Sequence, residues 1–474
     1  MGSVHDESRT VAWGDLARFR QEFYAALTAR ADVLFELTDA VLCAEGPVTS
    51  LVDLTLDAAH RRGHGAMYDA VNHGRVEPTR FRKALASLPV PTAAGGRIVL
   101  AVDVSPWLRP EAVTSADRLF CHVYGRARNN AQLIPGWPYS FVAALESGAT
   151  SWTAVLDAVR LGPTDDATAV TATQLREVVT RLIDAGHWQP GDLSILIVAD
   201  SGYDITRLAF VLRDLPVELL GRVRSDRVFY PPAPARPAGA VGRPSRHGPE
   251  FALARPETWT APAQQTSTDT TRYGTAHASS WDQHHPRLAR RGPWQGHTGE
   301  LPLMAGTLIR LQVHHLPGDR DPKPLWLWSS TTGATAEDID RLWQAYLRRF
   351  DLEHTFRLFK QTLGWTAPKV RTPDAADRWT WLVIAAHTQL RLARGLVNDL
   401  RRPWEKPLQP ARLTPARVRR GFRHLHPKIT RPASAPKPSR PGPGRPPGSR
   451  NHHPAPRYDV GKTIKQDRTR KHTG

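Results

Sequence analysis

The chain has 474 residues, with 64 Lys and Arg against 45 Asp and Glu, a formal charge of +19. This length exceeds one compact core and predicts two or three domains, and the 40% of hydrophobic residues suffices to fill them. Two cysteines, Cys43 and Cys121, exclude a disulfide framework and predict a reducing, cytosolic setting; the absence of any apolar signal core or long apolar run predicts no membrane association.

In chain order, residues 1–92 are expected to form a helical domain. Leu16, Phe19, Phe23 and Leu27, then Leu34, Leu37 and Val41, keep a helical rhythm. Gly46-Pro47 breaks it, and Thr49 or Ser50 can cap a helix running to about His60, with shorter helices near 65–72 and 78–87. His60, Arg61, Arg62, His64, Arg75, Arg80 and Arg82 cluster here, so the bundle reads either as a DNA-binding domain or as a structural cap.

Residues 93–228 change to a strand pattern. Arg97 to Val104 is an apolar run that reaches Asp103, and a loop with Cys121 follows. Tyr139–Leu145 reads as the next strand and Trp152–Arg160 as a third strand or a short helix; 166–186 reads as an amphipathic helix. Leu193 to Val198 is a continuous apolar run of the kind a buried strand needs, leading to Asp200, and a helix near 204–213 and a strand at 217–223 close the series. Aspartates at two strand ends can bring carboxylates together, and converging carboxylates call for cations; each aspartate alone also suits an ordinary strand-end turn.

Residues 229–333 are expected to be an insertion. Segments 231–249 and 262–280 are loop-like by their Pro/Gly and Ser/Thr content, and 307–315 and 323–329 are expected to pair as strands. Its Trp259, Trp281, Trp294, Trp326 and Trp328 suit a core, or stacking on an unpaired base; its histidines give only a weak metal signal.

Residues 334–400 are expected to complete the core with helices. Tyr346 to Lys360 has no Gly or Pro and predicts one helix in which Tyr346, Arg349, Glu353 and Lys360 share a face. The flanking Asp351 would point about 200° from Glu353 on such a helix. Residues 401–474 carry 20 Lys and Arg against three acids and read as a disordered, basic, Pro-rich tail for a polyanion. Within it, Pro443-Gly444-Arg445-Pro446-Pro447 is similar to a minor-groove hook.

The spacing Tyr346-x2-Arg349-x3-Glu353-x6-Lys360, with Val102-Asp103 and Ala199-Asp200-Ser201-Gly202-Tyr203 upstream, resembles the Y-(2)-R-(3)-E-(6)-K signature of bacterial insertion-sequence DDE transposases. The resemblance implies an α/β fold with a ribonuclease H-like core, and Asp103, Asp200 and Glu353 as catalytic ligands of two Mg2+ (or Mn2+) ions. It implies DNA contacts by Tyr346, Arg349 and Lys360, cleavage of transposon ends, strand transfer into target double-stranded DNA, and a synaptic homodimer. Asp204 and Asp351 stand as alternative ligands. A simple nuclease and a non-catalytic DNA-binding protein are the other functional readings.

Overall fold

The computed structural model describes residues 2–124, 131–148, 150–236, 238–239, 241–315, 322–437, 448 and 454–461. Its N-terminal part holds helices α1 (Gly2–Ala26), α2 (Ala31–Cys43), α3 (Leu51–Leu54), α4 (His64–His73) and α5 (Pro78–Ala86). A small antiparallel pair, β1 (Leu27–Ala29) and β2 (Arg75–Val76), interrupts the expected continuous rhythm, with Arg30 in the left-handed region before α2. Ser50 does cap α3, but α3 lasts one turn and its successors are turns, so the helix expected to reach His60 stops short.

The basic residues of this bundle are largely consumed internally. Arg61 and Arg62 both reach Glu36 at 2.5 Å, Arg82 reaches Asp157 at 2.8 Å, and His60 is buried. Leu16, Phe19, Phe23, Phe35 and Phe81 form a core under the helix α10 (Pro373–Leu392).

The catalytic-core pattern is built from β3 (Val99–Leu108), β4 (Leu119–Tyr124), β5 (Ala131–Leu145), β6 (Thr153–Arg160), α6 (Ala167–Asp184), β7 (Ile195–Ala199), α7 (Ile205–Val211) and β8 (Val217–Val223). Strand order is β6-β5-β3-β7-β8: β5 runs antiparallel to β3 and β6, while β3, β7 and β8 are parallel. Numbering these five by sequence gives the order 3-2-1-4-5, consistent with a ribonuclease H-like core. The loop expected around Cys121 is strand β4, paired with the first half of β5.

The insertion extends this same sheet. Strands β9 (Val228–Tyr230), β10 (Phe251–Ala252), β11 (Gln264–Thr270), β12 (Gly274–Pro286), β13 (Gly306–Val313) and β14 (Leu325–Ser329) follow, and β14 pairs with β8. The expected β13–β14 pairing is present, whereas 262–280, expected as loop, is the β11–β12 hairpin. Its Ser/Thr side chains alternate, and Thr266 and Thr268 donate to Asp340 at 2.6 Å, which fastens a polar strand beneath helix α8 (Ala336–Arg348). Trp259, Trp281 and Trp326 pack against one another and Phe251 at 5.1–6.2 Å, and Trp294 and Trp328 are buried, so these rings serve the core.

The basic tail is not structureless over its first part. Helix α11 (Pro415–Leu425) buries Val418, Phe422 and Leu425 at i, i+4 and i+7, and packs on α2 and α10. Burying each such side chain is worth about 1.5–3 kcal/mol, enough to fix a segment whose composition reads as linker. Arg445 lies outside the described residues. Among those described, no helix is long and apolar enough to cross a membrane.

Candidate active site

Register sets the first two acids side by side. The parallel ladder between β3 and β7 ends at Val102 opposite Ala199, so Asp103 and Asp200 follow it at the carboxyl edge, although β3 itself runs on to Leu108 against β5. The carboxyl ends of parallel strands are where such sheets place their ligands.

The third acid arrives on a broken helix. Tyr346 to Lys360, expected as one helix, is two: α8 ends at Arg348 and α9 (Phe350–Gln361) begins after a turn at Arg349. Arg349 N donates to Tyr346 O and Leu352 N to Arg349 O, both i to i−3. No Gly or Pro causes this. α8 lies on β7, β8 and the insertion strands, whereas α9 crosses β3, β5 and β6, and on a twisted sheet one straight rod cannot cover both.

α9 is pinned by Leu352, Phe356 and Phe359, with Phe356 5.1 Å from the Phe141 ring, and by Thr355 bonded to Thr153 at 2.8 Å. Gly364 (φ 71°) ends this run, where a Cβ would stand 2.6 Å from the carbonyl oxygen of Val48.

The three acids meet around one guanidinium. Arg349 Nη1 donates to Asp103 Oδ2 at 2.6 Å, and Nη2 lies 3.4 Å from Glu353 Oε1 and 3.9 Å from Asp200 Oδ2. The Tyr346 hydroxyl donates to Asp200 Oδ1 at 3.3 Å, and the Val104 amide to Asp103 Oδ1 at 2.8 Å. Burial pushes the Asp103 carboxyl up to about 6 against the pull of Arg349. Burial and nearby Asp200 likewise raise Glu353. Burial opposes the charge of Arg349, yet Asp103 and Asp200 outweigh it and hold its proton more tightly than usual. Tyr346 is raised to about 12 by burial and Asp200, so it stays a donor.

The neighbouring acids do other things. Asp204 caps α7, accepting from Arg207 N at 2.9 Å and Thr206 Oγ1 at 2.7 Å. Asp351 turns away, itself buried, to half-exposed Arg348 at 3.4 Å, and burial lifts it to about 6. Lys360 is half-buried, its ammonium 5.7 Å from the Trp365 ring, and burial lowers its proton affinity.

Tyr203 stands in the motif that follows Asp200, whereas three arginines carried no sequence signal. The buried Tyr203 hydroxyl lies beside Ser140 and in the field of Asp103 and Asp200, which with burial raises it well above the ordinary range. Exposed Arg222 faces Tyr346, and exposed Arg272 in the β11–β12 turn and Arg357 face His354. Each of these arginines is an isolated residue on a different element, and only the fold collects them.

Hard carboxylate oxygens suit magnesium or manganese. Among the described residues, however, no three His, Cys, Asp or Glu side chains are spaced to hold a metal ion, and Arg349 lies between the three acids. The donor chemistry fits a divalent ion, and the three acids as placed are spaced around the guanidinium.

A 3-2-1-4-5 mixed sheet with acids converging at its edge is the architecture of a nucleic-acid-cleaving enzyme. The family model described as DDE superfamily endonuclease matches residues 22–287, more than half of the chain, and the chain belongs to that family. DDE endonucleases act on DNA and generally use divalent metals. The match includes Asp103 and Asp200 and ends before Glu353, whose place rests on the geometry above. No curated protein matches the chain.

Proposed function

We propose that this protein is a transposase that hydrolyses phosphodiester bonds at the ends of a mobile element and transfers the freed strands into target DNA. The observation that carries the reading is the meeting of Asp103, Asp200 and Glu353 around one cationic position, from a strand, a strand end and a helix far apart in sequence. These three residues would hold Mg2+ or Mn2+, two ions in the assignment by family resemblance. When bound, the metal supplies Lewis-acid charge to the phosphodiester.

The chain's own residues do the rest. The Tyr346 hydroxyl orients Asp200, and the Val104 amide orients Asp103. Exposed Arg222, in the field of Tyr346, gives the polyanion a cation beside the site, Lys360, Arg272 and Arg357 would add phosphate contacts farther along α9 and at the β11–β12 turn, and Arg445 and the tail would add sequence-neutral, salt-dependent affinity. Two copies bridging two element ends complete the proposal, in a cytoplasmic, DNA-bound setting.

Strand transfer separates a transposase from a simple nuclease. Pre-cleaved DNA carrying one end of the element, incubated with the protein, Mn2+ and a supercoiled plasmid, is expected to yield end–plasmid joints. Plasmid nicking without joints would leave a nuclease and remove the transposase reading.

A further inference from the structure

Arg349 is more enclosed than the acids it joins. Its side chain is 5% exposed, against 21%, 36% and 50% for Asp103, Asp200 and Glu353. Its guanidinium carbon lies 5.9 Å from the Tyr346 ring centre and 5.4 Å from that of Phe350. Its Nε is buried without a hydrogen-bond partner, an unfavourable arrangement for a charged donor. Three carboxylates brought this close repel one another unless a cation stands between them. One guanidinium supplies a single positive charge to three negative ones, so the cluster still attracts a further cation. A divalent ion would need the same oxygens that Arg349 holds.

We propose that Arg349 is a built-in counter-ion: it assembles the three carboxylates in the metal-free protein and gives way when a divalent ion binds, so metal entry is an exchange of cations. Arg349 sits at the turn between α8 and α9, where the backbone ladder tightens to i−3 bonds. This rests on the reading of Asp103, Asp200 and Glu353 as metal ligands, and differs from a role in which Arg349 only contacts phosphate.

The test uses the full chain and Mn2+ alone. Loss of the free aqueous Mn2+ electron-spin-resonance signal reports binding, and melting in EDTA and in Mn2+ reports stability. Arg349→Gln is expected to bind Mn2+ at least about tenfold tighter than wild type, because a positive charge within 4 Å of all three carboxylates is gone. It should also melt below wild type in EDTA and show the larger upward shift on adding Mn2+. Arg349→Lys, whose compact ammonium cannot span all three acids, should bind more tightly than wild type but less tightly than the glutamine variant. Equal or weaker Mn2+ binding by Arg349→Gln overturns the exchange; if that variant does not fold, the same result for Arg349→Lys does so. Mn2+ binding that is absent, or unchanged in Asp103→Asn, Asp200→Asn and Glu353→Gln, removes the metal-ligand reading and the exchange with it. Dependence on the acids without dependence on Arg349 removes the exchange alone.

Discussion

Asp103→Asn, Asp200→Asn and Glu353→Gln are each expected to lower metal-dependent DNA cleavage by at least about a thousandfold, since several kcal/mol of transition-state stabilisation are lost with a ligand. Each substitution keeps the shape of the side chain and removes its charge. The informative contrast is with the adjacent acids. Asp351→Asn changes a residue directed at Arg348, and Asp204→Ala removes a helix cap worth about 1 kcal/mol of stability. Both should cleave within about tenfold of wild type, a loss of less than roughly 1.4 kcal/mol in the barrier. Single-turnover cleavage of end-labelled DNA, with melting curves to show that each variant folds, checks the set. A neighbour as damaging as its triad partner would mean that the ligands are misassigned by one residue.

The largest effect on stability is expected far from this site. Arg20 and Asp39 are both about fully buried and form two hydrogen bonds, at 2.7 and 2.9 Å; Arg20 also donates to Gln389 and to Thr430 O, and His426 joins Asp39 at 3.0 Å. The network ties α1, α2 and α10 to the turn after α11. Removing one partner leaves a buried charge unpaired, so Arg20→Met or Asp39→Leu should each cost about 3–5 kcal/mol, while the double variant, with neither charge, should lose less than either alone. Burial alone would raise Asp39, and Arg20 and His426 overcome it, holding the carboxyl below its ordinary range. Its folded value is thus below its unfolded value of about 3.9, so the stabilisation is present above that pH and lost as pH falls through the folded value. Denaturant unfolding of the four proteins at neutral and acid pH tests this. Losses below about 1 kcal/mol in both single variants would show that the network does not hold these helices together.

The parts of the fold that read directly from the sequence are those with strong apolar patterns. β7 and the first half of β3, up to Val102, are unbroken apolar runs, α6 carries a clear helical period and α10 is a long apolar stretch, so the core order and two acids followed. What did not read directly had its stabilising partners elsewhere in the chain. β11 is polar on both faces by composition and depends on Asp340 of α8. α11 looks like linker because its arginines dominate, yet Arg417 and Arg420 are neutralised by Asp399 and Glu405, and Arg419 donates to the Val41 and Gly46 carbonyls. The turn at Arg349 has no local breaker, since it answers to the twist of the sheet below. For the site, spacing placed Tyr346, Arg349 and Glu353 together. Spacing did not show that Arg349 faces inward to a partner 246 residues earlier in the chain.

The most direct measurement is cleavage by the wild-type protein of labelled DNA taken from both flanks of its own gene, in Mg2+ or Mn2+ and in EDTA. Cleavage is expected to leave 3′-hydroxyl ends, to require the divalent ion and to disappear in Glu353→Gln. Cleavage that persists in EDTA, or in Glu353→Gln, would contradict it.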